Sequence, residues 1–181
     1  IDSTGKTVQC APFWQVVSPD SIDSHIAYRL INTGYVLWDK MGIYQRCIEN
    51  FEQKPIIENS SVDLACMNCH SFSAQNPNTM LLHIRKYNGG TAILYDGKLQ
   101  KYNTKTDISM SAGVYPSWNS NGYLIAMSTN LISQQFHNDY GKRIYVSDSK
   151  SDIVLLNMKT QTLTTCPELS TKDLENLPAW A

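Results

Sequence analysis

The sequence predicts an all-β fold, and three observations carry that expectation. Ten of the 18 aromatic residues are Tyr, and Tyr, Val, Ile and Thr suit the pleated, half-buried surface of a sheet. Short apolar bursts alternate with turn residues along the chain, and no long helical stripe interrupts them. Two turn pairs, Asp96-Gly97 and Asn121-Gly122, sit beside β-like runs. Asp-Gly suits a type I′ hairpin, in which both central residues take positive φ.

The 181 residues leave room for one domain, with space for an attached lobe. Fifteen basic and 16 acidic residues give a formal charge of −1, which lacks the basic footprint of a nucleic-acid-binding protein. At 42% hydrophobic and 17% charged, the chain is globular and not disordered. No apolar run approaches the roughly 18 residues of a membrane span. The first residue is Ile1 and no signal peptide is visible, so targeting is not legible from the N-terminus.

In chain order, strands are expected at 13–17, 26–31, 42–48, 81–85, 91–95, 99–102, 123–128, 143–147 and 152–158. The segment 55–78 differs from these. It is rich in Asn, Ser and Cys and lacks strand alternation, so it reads as a long ordered loop or inserted lobe. The chain therefore divides into a β region at 1–54, a loop-bearing lobe at 55–90 and blade-like strands at 91–181, all one continuous unit. A Pro-x-Trp pattern recurs as Pro116-Ser117-Trp118, Pro178-Ala179-Trp180 and Pro12-Phe13-Trp14. Trp118 and Trp180 lie 62 positions apart, against a propeller repeat of about 40–45. An insertion of about 20 residues near 130–151 would account for the difference.

The sharpest chemical feature is Cys66-Met67-Asn68-Cys69-His70. Cys-x-x-Cys-His is the attachment pattern of haem c. Both thiols bond to the vinyl groups, and the next residue, His70, would be the proximal ligand. The same residues also allow a Cys66–Cys69 disulfide, free thiols, or half of a zinc site. A second axial ligand would come from Met80, His83, Met110 or His137. His83 sits in an expected strand, opposite in sense to Leu82 and Ile84, and His137 falls in an expected loop. Each of these side chains also has an ordinary reading as a hydrogen-bonded His or a core Met. Cys10, Cys47 and Cys166 remain, as inert thiols or with two of them paired.

Other motifs are weak. Gly5-Lys6-Thr7 lacks the upstream Gly of a phosphate loop, and the segment 148–152 lacks the Gly and Glu of a calcium loop. Asn59-Ser60-Ser61 is a glycosylation sequon of a kind that chance often supplies. No Gly-x-Ser-x-Gly elbow or His-Glu-x-x-His helix occurs, so catalysis is not expected.

Several longer segments carry a family resemblance. They are Ile26-Ala-Tyr-Arg-Leu-Ile31, Gly34-Tyr35, Met41-Gly-Ile-Tyr-Gln-Arg46, Cys66-Met-Asn-Cys-His-Ser-Phe72, His83-Ile-Arg85, Asn88-Gly-Gly-Thr91, Val114-Tyr-Pro-Ser-Trp118 and Gln135-Phe-His137. Together they resemble TolB-like β-propeller proteins of the Bacteroidetes, over nearly the whole span from Trp14 to Trp180. The resemblance implies a partial propeller of antiparallel blades with a long inserted loop holding the Cys-x-x-Cys-His site. It implies a periplasmic or outer-membrane-associated location, an envelope protein or redox partner, and no catalytic activity. By position, Cys66 and Cys69 would attach haem c and His70 would be proximal, with His83 and then His137 as distal ligands; Met80, a flexible thioether, is a third candidate on its chemistry alone. The chain departs from the usual Pro-x-Trp-Ser-Pro-Asp-Gly signature, reading Asn119-Ser120-Asn121-Gly122 after Trp118. Two functions follow from these residues. One is a haem-carrying or electron-transfer module. The other is a non-enzymatic binding scaffold in which Cys66 and Cys69 form a structural disulfide.

Overall fold

The computed structural model describes residues 4–7, 11–31, 40–86, 89–135 and 145–180. Among these residues, strands form three antiparallel sheets and helix is confined to three short 3-10 turns. The first sheet holds β1 (His25–Ile31), β2 (Met41–Cys47) and β3 (Gln53–Glu58). The second holds β4 (Met67–Phe72), β5 (Met80–Ile84), β6 (Gly90–Tyr95) and β7 (Lys98–Tyr102). The third holds β8 (Val114–Trp118), β9 (Leu124–Gln135), β10 (Tyr145–Asn157) and β11 (Thr162–Thr164). In every sheet each strand pairs with its chain neighbour, so all three are meanders. The expected all-β class is what the chain adopts.

The pattern of β5 explains how the sheets stack. Met-Leu-Leu-His-Ile is buried at every position, as a strand covered on both faces must be. Leu81 points one way and joins Ile93, Ile125, Met127, Val154, Leu156 and Met158 in a core shared with the third sheet. Met80, Leu82 and Ile84 point the other way and meet Ala65, Ile57 and Val62, on the side of the first sheet. Each such buried side chain contributes about 1.5–3 kcal/mol. The second sheet is thus the filling between the other two.

Local turns follow their residues. Asp96 and Gly97 have φ of 50° and 70°, as the hairpin at that pair requires. After β8, Asn119 Oδ1 accepts the N–H groups of Tyr123 and Leu124 at 3.1 and 3.0 Å. Gly122, at φ 68°, donates its N–H to the Asn119 carbonyl.

Three expectations are corrected. Residues 13–17 form no strand: they are irregular and Trp14 is 99% exposed, because no sheet edge pairs with them. The segment 55–78 is not a loop. It contains the end of β3, a 3-10 turn at Asn59–Val62 and all of β4. Its Asn and Ser residues serve turns and caps between strands, which hides the alternation. The second sheet begins at β4 and runs to Tyr102, so a boundary at 90 falls inside it. The extra residues near 130–151, where they are described, lengthen β9 and β10 into a long antiparallel pair with a bulge between Asp148 and Lys150.

Candidate functional site

The Cys-x-x-Cys-His run lies on β4, the edge strand of the second sheet. Met67 pairs with Ile84 and Asn68 with His83. Just before the strand, the Cys66 carbonyl accepts the Arg85 N–H at 2.9 Å. Alternation then gives Cys66, Asn68, His83 and Arg85 one face of the sheet.

The register slips next. Asn68 opposes His83 but Ser71 opposes Leu81, so Cys69 and His70 together face Leu82. This is a β-bulge, and Cys69 takes the left-handed φ of 55° that a bulge of this kind favours. The same event occurs in β8. Val114 opposes Ser128 and Ser117 opposes Ala126, so Tyr115 and Pro116 share Met127, with Tyr115 at φ 50°. A third left-handed residue, Leu177 at φ 52°, precedes Pro178-Ala179-Trp180. Cys69-His70-Ser71-Phe72, Tyr115-Pro116-Ser117-Trp118 and Leu177-Pro178-Ala179-Trp180 are therefore one repeated feature. Phe72 and Trp118 are 46 positions apart, close to the propeller period of about 40–45. Sequence reading missed the first copy because His replaces Pro and Phe replaces Trp; the shared Ser-aromatic pair at that spacing is the signal that marks it. The Pro12-Phe13-Trp14 segment is not a member of the set, being irregular and exposed.

The copies are tied to one another. The Tyr115 N–H donates to the Cys69 thiol. The Leu177 N–H donates to Ser128 Oγ at 3.0 Å, and Trp180 Nε1 donates to the Ser117 carbonyl at 2.9 Å. Trp118 is half-buried against the core between the second and third sheets.

Electrostatics at the site follow burial. Burial pushes the Cys69 thiol pKa up, against the pull of the Tyr115 N–H and of Arg85. His83 is 6% exposed. Burial, with Arg85 second, holds its pKa down at about 4, so the imidazole is neutral near pH 7. Its Nδ1 has no hydrogen-bond partner, and neither has the buried Asn68 Oδ1 across the ladder.

These residues do not fit haem c on this backbone. Covalent attachment needs both thiols at one porphyrin edge with the following His beneath the iron. Here Cys66 lies on the face of Asn68 and His83, while the His70 ring meets Phe72 edge-on at 6.4 Å. Phe72 belongs to the core on the opposite face. Three residues of strand also separate the Cα atoms of Cys66 and Cys69 by about 10 Å, beyond the roughly 7 Å of a disulfide. Both are free thiols, as are Cys47 and Cys166. Met80 is a core side chain on the face away from His83, and Met110 is half-buried in the segment before β8. His137 and Cys10 lie outside the described residues. Among the described residues no three His, Cys, Asp or Glu side chains gather as a metal site. Within the Asn59-Ser60-Ser61 sequon, Asn59 itself is fully buried, with Oδ1 accepting the Met41 N–H at 3.1 Å.

At the other end of β4 the structure opens a cleft of about 760 Å³. Residues from four turns line it: those joining β4 to β5, β6 to β7, β8 to β9 and β10 to β11. Gln100 Oε1 accepts from Tyr102 Oη at 2.6 Å and from Gln161 Nε2 at 3.4 Å, which joins the second sheet to the third. Among the described residues no helix is long and apolar enough to cross a membrane. Compared with family models, curated proteins and solved structures, the chain matches none.

Proposed function

We propose that the chain is a non-catalytic binding scaffold built from β-propeller blades, working in the cell envelope. One observation carries the reading: a left-handed residue followed by two residues and an aromatic ring occurs three times, and in two of them it is a β-bulge that opens one of two stacked four-strand meanders. Repeats of this kind bury a continuous core between neighbours and leave their turns free at the ends. Such turns are where rigid β scaffolds carry recognition. On this reading Cys69 and His70 are bulge residues of a blade, and the thiol serves as an acceptor between blades. The envelope location rests on the sequence resemblance.

The competing function is a haem-carrying electron-transfer module. The neutral, unpartnered imidazole of His83 beside Asn68 is the feature that favours it, but Cys66 and His70 would have to reach one porphyrin from opposite faces. Expression in a host with a haem-attachment pathway separates the two. The scaffold reading expects colourless protein with no Soret band after extraction in acid and organic solvent; a covalently retained Soret chromophore overturns it. A photo-crosslinking side chain at Asp96 or Asn121, in cells of the source organism, is expected to trap a discrete envelope component. The absence of any adduct at both turns also overturns it.

A further inference from the structure

We propose that the cleft between the second and third sheets is a binding site for a neutral oligosaccharide. The inference rests on the scaffold reading and names the ligand class for one of its surfaces. Its size falls within the roughly 300–1,000 Å³ of small-ligand sites.

The chemistry of the walls selects the class. Tyr95 and Tyr102 are partly buried against the core beneath and line the cleft, so their rings are held in place there. Rings anchored in this way offer flat apolar faces at little cost in side-chain entropy, which suits the C–H face of a pyranose. Around them stand amides and hydroxyls, groups that both donate and accept, as vicinal hydroxyls require. Register supports the arrangement. Thr91 pairs with Tyr102, Ile93 with Gln100 and Tyr95 with Lys98, so Tyr95, Gln100 and Tyr102 project from the same face as Ile93, which packs toward the third sheet.

Polar groups of the two sheets meet at the cleft. Gln161 Nε2 reaches both Gln100 Oε1 and Tyr102 Oη at 3.4 Å across 61 and 59 residues of chain. These long contacts leave room for ligand hydroxyls to insert. Other ligands fit less well. A polyanion would need several cations, but Asp96 stands beside Lys98, and Lys159 Nζ already lies 4.0 Å over the Tyr123 ring. An apolar peptide anchor would need a deep apolar pocket, and beyond Tyr95 and Tyr102 the lining offers only Met158 and Ala74.

The test is a titration of isotope-labelled chain with cellotetraose, maltotetraose and chitotetraose, followed by backbone and side-chain amide NMR. At least one sugar is expected to give saturable shifts at Gln100, Tyr102 and Gln161. Gln100→Ala and Gln161→Ala, both exposed positions that leave the core intact, should weaken that binding about tenfold, the scale of one lost hydrogen bond to a fixed group. Tyr102→Phe keeps the ring and should cost less. No saturable shift at millimolar sugar, or binding unchanged in both Gln variants, overturns the proposal. If the sugars fail while crosslinks at Asp96 persist to a protein, the saccharide site falls and the scaffold stands. If crosslinks fail as well, both fall.

Discussion

Strands β4 and β8 have the same backbone and different chemistry. Each opens its meander, each slips register by one residue, and each places a non-Gly residue in the left-handed region. Yet one copy reads Cys-His-Ser-Phe and the other Tyr-Pro-Ser-Trp. The comparison extends to the next copy. Tyr115 and Leu177 occupy equivalent positions, and both spend their N–H on the preceding repeat: Tyr115 on the thiol of Cys69, Leu177 on the hydroxyl of Ser128. A thiol and a hydroxyl thus do the same job at successive junctions. The residue matching Ser128 in the second sheet is His83, since each opposes the last residue before the bulge. Relieved of the junction, His83 is left buried with a bare Nδ1. A five-residue motif can therefore look like a cofactor box while its parts are divided between a blade junction and a core face.

The largest effect should come from the aromatic that ends each copy. Trp118→Ala removes the ring packed between the second and third sheets and should cost about 3 kcal/mol, the lower part of the range for large aromatic deletions because the ring is half-buried. Phe72→Ala, on the opposite core, should cost a similar amount if the copies are equivalent. Chemical denaturation of both variants measures this, and a Phe72 cost near zero would break the equivalence. Trp118→Phe should be nearly neutral, because the buried Nε1 has no partner to lose.

His83 gives the next effect and a clean pH signature. Its folded pKa is about 4, against an ordinary value of about 6.5. Between those values the unfolded chain binds a proton that the folded chain refuses. Stability therefore falls as pH drops through the window from 6.5 to 4, by up to about 3 kcal/mol, with no contribution from this group above it. Unfolding curves at several pH values should show that slope in the parent protein and a flatter one in His83→Gln. The third sheet has Ser128 at the matching position and lends no such slope.

How much of this was legible in advance depends on which signal each residue carries. The strands 26–31, 42–48, 81–85, 91–95 and 99–102 were readable because alternation or continuous apolar character survives in them. Likewise, Asp96-Gly97 specified its turn through backbone freedom alone. β4 was not readable, because a bulge shifts the alternation by one and Met-Asn-Cys-His-Ser-Phe contains no β-branched residue. Its strand character comes from pairing with Met80–Ile84, a tertiary contact. The segment 13–17 failed the other way, with strand-like residues and no edge to pair with. The site was misread for the same reason as β4: spacing along the chain says which residues are close in sequence, and only the register says which face each one takes.

Close contact between turns supplies a smaller effect. A Cβ on Gly122 would come within 2.7 Å of Ser73 Oγ, at a φ of 68°. Gly122→Ala should therefore cost about 1–2 kcal/mol, through backbone strain and the displaced hydroxyl together. Ser73→Ala in the same background should recover part of that cost by removing the obstructing oxygen. Gly97, also left-handed but with nothing within 4 Å, should show the strain alone when changed to Ala, and the gap between the two glycines measures the contact.

The smallest effect tests the comparison most directly. Left-handed backbone costs a residue with a Cβ about 1 kcal/mol, which Gly avoids. Tyr115 is exposed and its side chain makes no hydrogen bond described above, so Tyr115→Gly should be neutral or stabilising by up to about 1 kcal/mol. Cys69 sits at the same φ, but its thiol accepts the Tyr115 N–H. Cys69→Gly relieves the same strain and orphans that donor, a loss of about 1 kcal/mol, so the two contributions should nearly cancel. Cys69→Ala keeps the strain and loses the acceptor, and should be the least stable of the set. Cys69→Ser should restore an acceptor and most of the stability. Amide hydrogen exchange at Tyr115 reads the bond itself: faster in the Gly and Ala variants, close to the parent rate in Ser. Equal effects of Gly at 69 and 115 would mean that the thiol does not tie the two blades, and that the bulges are alike in shape alone.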